Sequence, residues 1–243
     1  MNYRSVLASL AIAVTLVFSI LGCGGSGSTG GSSGTGGSGF STVTIVNKDK
    51  IADAQFLDHW YGDPIPAFTP VHVNNTTQAT RANHTTTRTV PASNETDYLG
   101  IPTGLSGTFT INGTDVTVLN SETWGEVINK INSVQGETGV RAEVKDNGGG
   151  LFSVDLFQTQ YGAYFKILLD DSVGIIQAVG GSANASGVNA VSSVTLQGFA
   201  GRTFTGGQNG NDGLTMTDSE GNMIRLTVDG NAVANYVSCI VVN

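Results

Sequence analysis

The chain has 243 residues, a formal net charge of −8 at pH 7 and only 12% charged residues, whereas glycine occupies 34 positions. The eleven Lys and Arg residues are scattered, so the composition excludes nucleic-acid binding, which needs clustered cations to neutralise phosphates. A polar, weakly charged chain of this length is typical of an extracellular β-rich protein with one large or two small cores.

The first residues predict export from the cytoplasm. Residues 1–4 are weakly basic, residues 6–21 are almost wholly apolar, and the small Gly22 precedes Cys23, which is the pattern of a secretory signal. The Gly-Cys step resembles the lipobox of bacterial lipoproteins, which implies that Cys23 is acylated and becomes the new N-terminus. Two alternatives stay open: an uncleaved transmembrane anchor, although a span normally needs about 20 residues, and a signal peptide that leaves Cys23 unmodified.

A tether of glycine and serine follows the cysteine. Residues 24–39 are of the composition that behaves as a random coil, with an end-to-end distance of roughly 20 Å. We therefore expect a signal peptide at 1–22 and an acylated cysteine with its tether at 23–39, anchored in a membrane through lipid. Because Gly24 rather than Asp follows the cysteine, resemblance to enterobacterial lipoproteins implies the outer membrane.

Residues 40–99 are predicted to be an irregular β-rich segment, with a strand at 42–46 and one or two exposed strands in the Thr/Asn-rich stretch at 74–89. The segment also contains an aromatic patch, formed by Phe56, Trp60, Tyr61 and Phe68. If exposed, Trp60 and Tyr61 would offer a platform for a sugar or an apolar partner surface. The alternative, which the scarcity of other large apolar groups favours, is a small core that holds the segment onto the main domain.

Residues 100–181 show the clearest pattern. Asn112-Gly113 between alternating apolar residues predicts a hairpin, and Thr123 with Glu126 predicts a capping box at the start of a helix. That helix places one apolar face at helical spacing and should stop at Gly136. The face consists of Trp124, Val127, Ile128, Ile131 and Val134.

Three strands are expected after the helix, at 140–144, 151–157 and 164–169, followed by a helical turn at 172–179. Residues 182–243 should then be all-β, with a hairpin around residues 218–222 and a last strand at 236–242. The fold class is therefore α+β and mostly β: an antiparallel sheet with one amphipathic helix, followed by β-hairpins. The last strand is either an exposed edge or buried within its own domain.

Chemical motifs are scarce. With Cys23 acylated, Cys239 lacks an intramolecular partner, which excludes a disulfide framework and a thiolate zinc site. Asp58, His59 and Asp63 lack the spacing of a metal signature, and a calcium loop around residues 206–212 is misspaced and occurs once. We therefore predict no catalytic residue, no metal and no cofactor.

Four segments resemble a known family: GTFTING at 107–113, INKIN at 128–132, GVRA at 139–142 and IIQAVGG at 175–181. They resemble the flagellin hook IN motif, which recurs in the outer domains of bacterial flagellins and of the flagellar filament-cap protein. The resemblance implies a shared outer-domain fold with a structural, often adhesive surface and no catalytic residues. Because the sequence shows neither long terminal helix of those proteins, it does not imply a filament subunit.

The sequence therefore favours a non-enzymatic, membrane-anchored surface lipoprotein that presents a flagellin-like structural or adhesive module. Its partners would be the membrane and a protein or glycan at the cell surface. The alternatives are a carbohydrate-binding module that uses Trp60 and Tyr61, or a component associated with a flagellum or another appendage.

Overall fold

The computed structural model describes residues 40, 41, 43–45, 50–57, 59–61, 63–208, 212–217, 224–228, 230 and 236–242. The predictions on the signal peptide, Cys23 and the tether lie outside the described residues. In the described part, short antiparallel strands dominate and helices are few, so the predicted mostly-β class is confirmed.

The strands and helices are, in chain order, β1 (Phe40–Ser41), β2 (Val43–Ile45), β3 (Ile51–Leu57), β4 (His59–Trp60), β5 (Asp63–Pro64), β6 (Thr69–Thr77), β7 (Arg81–Thr85), β8 (Val90–Pro91), α1 (Glu95–Gly100), β9 (Gly107–Ile111), β10 (Thr114–Val118), α2 (Trp124–Ser133), α3 (Gln135–Thr138), β11 (Val140–Asp146), β12 (Leu151–Tyr161), β13 (Lys166–Asp171), β14 (Gly181–Ser186), β15 (Val191–Leu196), β16 (Arg202–Thr205), β17 (Thr215–Thr217), β18 (Ile224–Val228) and β19 (Tyr236–Val242).

These elements surround two hydrophobic cores. The helical unit, residues 81–186, encloses one core, and the all-β unit, residues 40–79 and 188–242, encloses the other. The helical unit is thus inserted between two halves of the all-β unit. The predicted boundaries at 99 and 181 differ from this division, because β7, β8 and α1 pack with the helical unit, as does β14.

The all-β unit contains two antiparallel sheets, ordered β1-β3-β18-β17 and β16-β15-β6-β19-β2, with a β4–β5 pair beside them. Alternation along β6 buries Val71 and Val73 and leaves His72 exposed, the period-two pattern of a strand with one covered face. Strand β19 pairs with β6 on one side and β2 on the other, so the alternative of an exposed edge is wrong. The β17–β18 pairing confirms the predicted hairpin.

The helical unit contains the sheets β10-β9-β13-β14 and β11-β12-β7, and β8 pairs with the start of β12. The β9–β10 hairpin turns at Asn112 and Gly113, whose φ angles of 50° and 85° are both left-handed, as predicted for an Asn-Gly turn. Helix α2 begins with the predicted capping box of Thr123 and Glu126. Four residues of the predicted apolar face are buried, namely Trp124, Val127, Ile128 and Ile131, while the fifth, Val134, is the C-cap after the helix and is half-buried.

Two local predictions are wrong. Helix α2 ends at Ser133 and Gly136 lies inside α3, while the left-handed stop is Gly139 with φ 70°. The segment at 172–179 forms turns rather than a helical turn. The N–H groups of Ile175, Ile176 and Gln177 bind the carboxylate of Asp171 instead of carbonyls one turn back.

Candidate functional site

Trp60 belongs to the core of the all-β unit and is only 3% exposed. Its Nε1 donates a hydrogen bond to the Ala200 carbonyl at 3.2 Å, and its ring packs edge-on against Phe204 with 6.2 Å between centroids. Burial with a satisfied N–H is the arrangement of a structural tryptophan. The prediction of a Trp60 platform for ligands is therefore corrected, because strand β4 turns this side chain inward.

Tyr61 is half-buried beside Trp60 and has a left-handed φ of 52°. The guanidinium of Arg202 lies 3.7 Å from its ring centroid, so one ring face already holds a cation. Phe68, at 72% exposure, lies open to solvent and also has a positive φ, of 63°. The aromatic patch is thus divided between core and surface, in agreement with the interpretation of a small core rather than a stacking surface.

The ionisable residues that the sequence singled out do not converge. Asp63 is exposed, while Asp58 and the side chain of His59 lie outside the described residues. Asp212 accepts the N–H groups of Leu214 at 3.0 Å and Thr215 at 2.9 Å, which is the role of a turn residue. Within the described ranges no group of three or more His, Cys, Asp or Glu side chains is placed to hold a metal. The side chain of Cys239 lies outside those ranges.

Several polar side chains in the helical unit bind its backbone, and none of them was predicted to be a site residue. Asn112 follows β9 and continues its pairing: its N–H donates to the Leu168 carbonyl and its Oδ1 accepts the Leu168 N–H, both at 2.8 Å. Its Nδ2 donates to the carbonyls of Lys166 at 2.9 Å and Thr138 at 2.7 Å. One carboxamide therefore ties the β9–β10 turn to β13 and to α3.

Asn132 has the corresponding role at the edge of β11. Its Oδ1 accepts the Ala142 N–H at 2.8 Å, and its Nδ2 donates to the Ala142 carbonyl at 3.1 Å. The side chain thereby satisfies the backbone of an edge residue as a neighbouring strand would. In the sequence, Asn132 ends the segment INKIN, one residue after the buried Ile131. A polar residue at that position is most simply interpreted as facing solvent, so its bonds to β11 were not predicted.

Asp171 is a fully buried carboxylate that organises the loop after β13. It accepts the N–H groups of Ile175 at 2.8 Å and of Ile176 and Gln177 at 2.7 Å. Three backbone donors compensate for the removal of this charge from water. The IIQ run therefore folds as an anion-binding loop closed by its own aspartate, and the apolar side chains of Ile175 and Ile176 enter the core.

Gln177 joins that loop to β7. Its Oε1 accepts the Thr87 N–H at 2.9 Å and the Thr87 hydroxyl at 2.6 Å, and its Nε2 lies 2.7 Å from His84 Nε2. Because the amide nitrogen must donate, His84 Nε2 must accept, which requires the neutral imidazole. Burial lowers the pKa of His84, and the nearby Asp155 carboxylate opposes this effect.

A glycine junction, defined here as Thr80, Gly162, Gly187, Asn189 and Gly213, joins the two units. The backbone of Thr80 exchanges hydrogen bonds with Val188, and its carbonyl also accepts the Gly162 N–H at 2.9 Å. A Cβ on Gly162 would lie 2.5 Å from the Gly213 Cα, and Gly162 has a φ of 106°. Close backbone packing of this kind needs glycine.

Comparison with protein-family models supports the motif. Residues 108–153 match the family model of the flagellin hook IN motif. Comparison with curated protein sequences gives no match. In the part of the chain described here, no helix is both long and apolar enough to cross a membrane.

Three solved structures illustrate the structural similarity. The D2-D3 domains of the flagellar cap protein FliD from Escherichia coli align with a TM-score of 0.49 and 14% identity over 85% of this chain and 99% of that one. The same domains from Serratia marcescens give 0.46 and 16%, over 84% and 100%. FliD from Pseudomonas aeruginosa PAO1 gives 0.39 and 16%, over 72% and 81%.

Proposed function

We propose that the chain is a non-enzymatic surface lipoprotein that presents a flagellin-like module from the outer membrane. Acylated Cys23 is the anchor and residues 24–39 are the tether. The observation that carries the proposal is the folded hook IN motif at 108–153, in which the side chains of Asn112 and Asn132 bind the backbone of their own unit.

The engagement of these side chains supports a scaffold role. Asn112 and Asn132 hold strand ends, and Thr123 and Glu126 cap α2, so the motif supplies a rigid support rather than reactive groups. Contact with other molecules then falls to the exposed strands and loops around it. A rigid support with variable surfaces is the usual arrangement for recognition.

A second candidate is a component attached to a flagellum or another appendage, which the hook IN motif itself favours. The carbohydrate-binding alternative loses its main support, because Trp60 is buried and Arg202 covers a face of Tyr61. Co-purification with sheared filaments or basal bodies separates the appendage role from that of a free surface protein.

The anchoring proposal is tested by fractionating cells that produce the wild type or the C23A variant. The wild type should stay in the outer-membrane fraction after high-salt washing, and protease added to intact cells should degrade it. The variant should lose the lipid and be absent from the outer-membrane fraction, because no acyl chain can attach to alanine. Equal retention of both proteins in the outer-membrane fraction would contradict acylation at Cys23, and protection from external protease would contradict surface display.

A further inference from the structure

A groove of about 450 Å³ opens on the helical unit between α1, α2 and the free edge of β11. Its lining comprises Glu95, Leu99, Gly125, Ile128, Asn129, Ala142, Glu143 and Val144. This volume is within the range of pockets that hold ligands or inserted side chains. The helices form its walls and the backbone of β11 forms its rim.

The rim carries unpaired backbone groups. Because Ala142 exchanges both of its hydrogen bonds with the Asn132 carboxamide, its N–H and C=O point away from β12. Antiparallel pairing alternates along a strand, so the N–H and C=O of Val144 and Asp146 also point away from β12. Asn132 covers the edge only at Ala142, which leaves Val144 and Asp146 as an open edge of about two pairing residues in the described fold.

Extended backbone is the chemistry that satisfies such an edge. An added strand offers carbonyls and N–H groups at the spacing that Val144 and Asp146 require, and its side chains alternate between solvent and the groove. The apolar part of the groove, formed by Leu99 and Ile128, suits an aliphatic side chain of that strand.

The negative charges of the groove favour basic side chains at the remaining positions of the partner strand. Both ionisable residues of the lining are glutamates, and Glu143 already pairs with Arg141. Glu95 is exposed and makes no ion pair within the part of the chain that the structure describes. The net charge of −8 over the whole chain also attracts cationic partners at long range.

We propose that this groove binds an extended basic segment of a partner protein, which adds as a strand to β11 at Val144 and Asp146 and places an aliphatic side chain against Leu99 and Ile128. The interaction does not depend on the lipid anchor. It therefore goes beyond the proposed function, and either can fail without the other.

The test uses the full chain and two fluorescently labelled heptapeptides, one alternating Lys and Val and the other alternating Glu and Val. Fluorescence anisotropy should show that the Lys/Val peptide binds more tightly than the Glu/Val peptide. Hydrogen exchange measured by mass spectrometry should slow in residues 143–147 when the Lys/Val peptide is bound. Binding without protection there, or equal binding of both peptides, would overturn the proposal.

The variant V144P tests the backbone step, since proline removes the outward N–H but leaves the β11–β12 ladder intact. It should retain the circular dichroism spectrum and weaken Lys/Val binding about tenfold or more, as loss of a backbone hydrogen bond and a steric block predict. V144A is the matched control, since it shortens the side chain and keeps the N–H. Undiminished binding by folded V144P would refute strand addition.

The variant E95K tests the charge step and remains informative if V144P does not fold. It should abolish the preference for the Lys/Val peptide, whereas E137K, the same change on an exposed residue of α3, should preserve it. If both variants lost the preference equally, the preference would depend only on the net charge of the chain, and a specific role of Glu95 in the groove would be overturned. Sedimentation of the free chain adds a further outcome: a dimer abolished by V144P would assign the edge to a second copy instead.

Discussion

Single carboxamides replace a neighbouring strand at two points of the helical unit. We predict that N132A lowers the free energy of unfolding by about 1–3 kcal/mol, because it leaves the N–H and C=O of buried Ala142 without partners. The matched control is N129A on the same helix, where the side chain is exposed and should contribute within about 0.5 kcal/mol. Urea unfolding measures both, and equal effects would show that the Asn132 bonds do not matter.

His84 gives the helical unit a dependence on pH. Since burial lowers its pKa in the folded state, the unfolded chain binds the proton more readily, and stability should fall as the pH drops below the ordinary value of 6.5. The Asp155 carboxylate, on the neighbouring strand β12, opposes this lowering of the His84 pKa. H84Q keeps an acceptor for Gln177 and cannot titrate, so thermal unfolding between about pH 7 and pH 5 should vary less in H84Q than in the wild type. Parallel pH profiles would contradict the neutral imidazole.

Side-chain contacts between neighbouring residues could be predicted from the sequence, whereas contacts between distant residues could not. The turn at Asn112-Gly113 was predictable because its geometry is local and only a few residues tolerate it. The bonds of Asn132 to Ala142 and of Gln177 to Thr87 were not, since they join residues 10 and 90 positions apart. Trp60 was ambiguous for a related reason: whether a tryptophan faces a core depends on strands from the other half of the chain.

Helix α2 is the element that sequence defines best. Its capping box and its apolar face are local patterns, and the structure has both of them. Its end was not predictable, because Gly136 is able to stop a helix, yet α2 already ends at Ser133 and Gly136 lies inside α3. Gly139 ends α3 instead, with a φ of 70°, and a Cβ on it would lie 2.8 Å from the Gln158 Oε1.

The cap gives a prediction at this scale. T123A removes the side chain that accepts the Glu126 N–H and should lower stability by about 1 kcal/mol, or the melting temperature by about 2–4 °C. S121A, an exposed neighbour outside the cap, should leave the melting temperature unchanged. A drop of the same size in S121A would mean that the loop before α2, rather than the cap, is responsible.

Because one unit is inserted into the other, the stability of the whole molecule should depend on the glycine junction that joins them. G162A should destabilise the protein strongly, since its Cβ would lie 2.5 Å from the Gly213 Cα. G148A is the matched control: Gly148 also has a positive φ, of 80°, but no atom lies within 4 Å of its Cβ position. The difference in melting temperature therefore isolates the close packing, and equal losses would attribute both effects to backbone strain alone.

The insertion itself could not be read from the sequence. Composition changes along the chain suggested consecutive segments, whereas β6 pairs with β15 and β19, more than a hundred residues further on. Such pairing leaves no local periodicity, because each strand alternates in the same way whichever neighbour it has. The fold class and the hook IN unit were predictable, and the assembly of the all-β unit was not.

The intact mass of the protein extracted from its native membrane tests whether a flagellin-like module stands on a lipid tether. We predict a mass equal to residues 23–243 plus a diacylglyceryl group and usually a third acyl chain. A mass equal to the bare polypeptide, with or without residues 1–22, would contradict it and bring a secreted or appendage-associated role to the front.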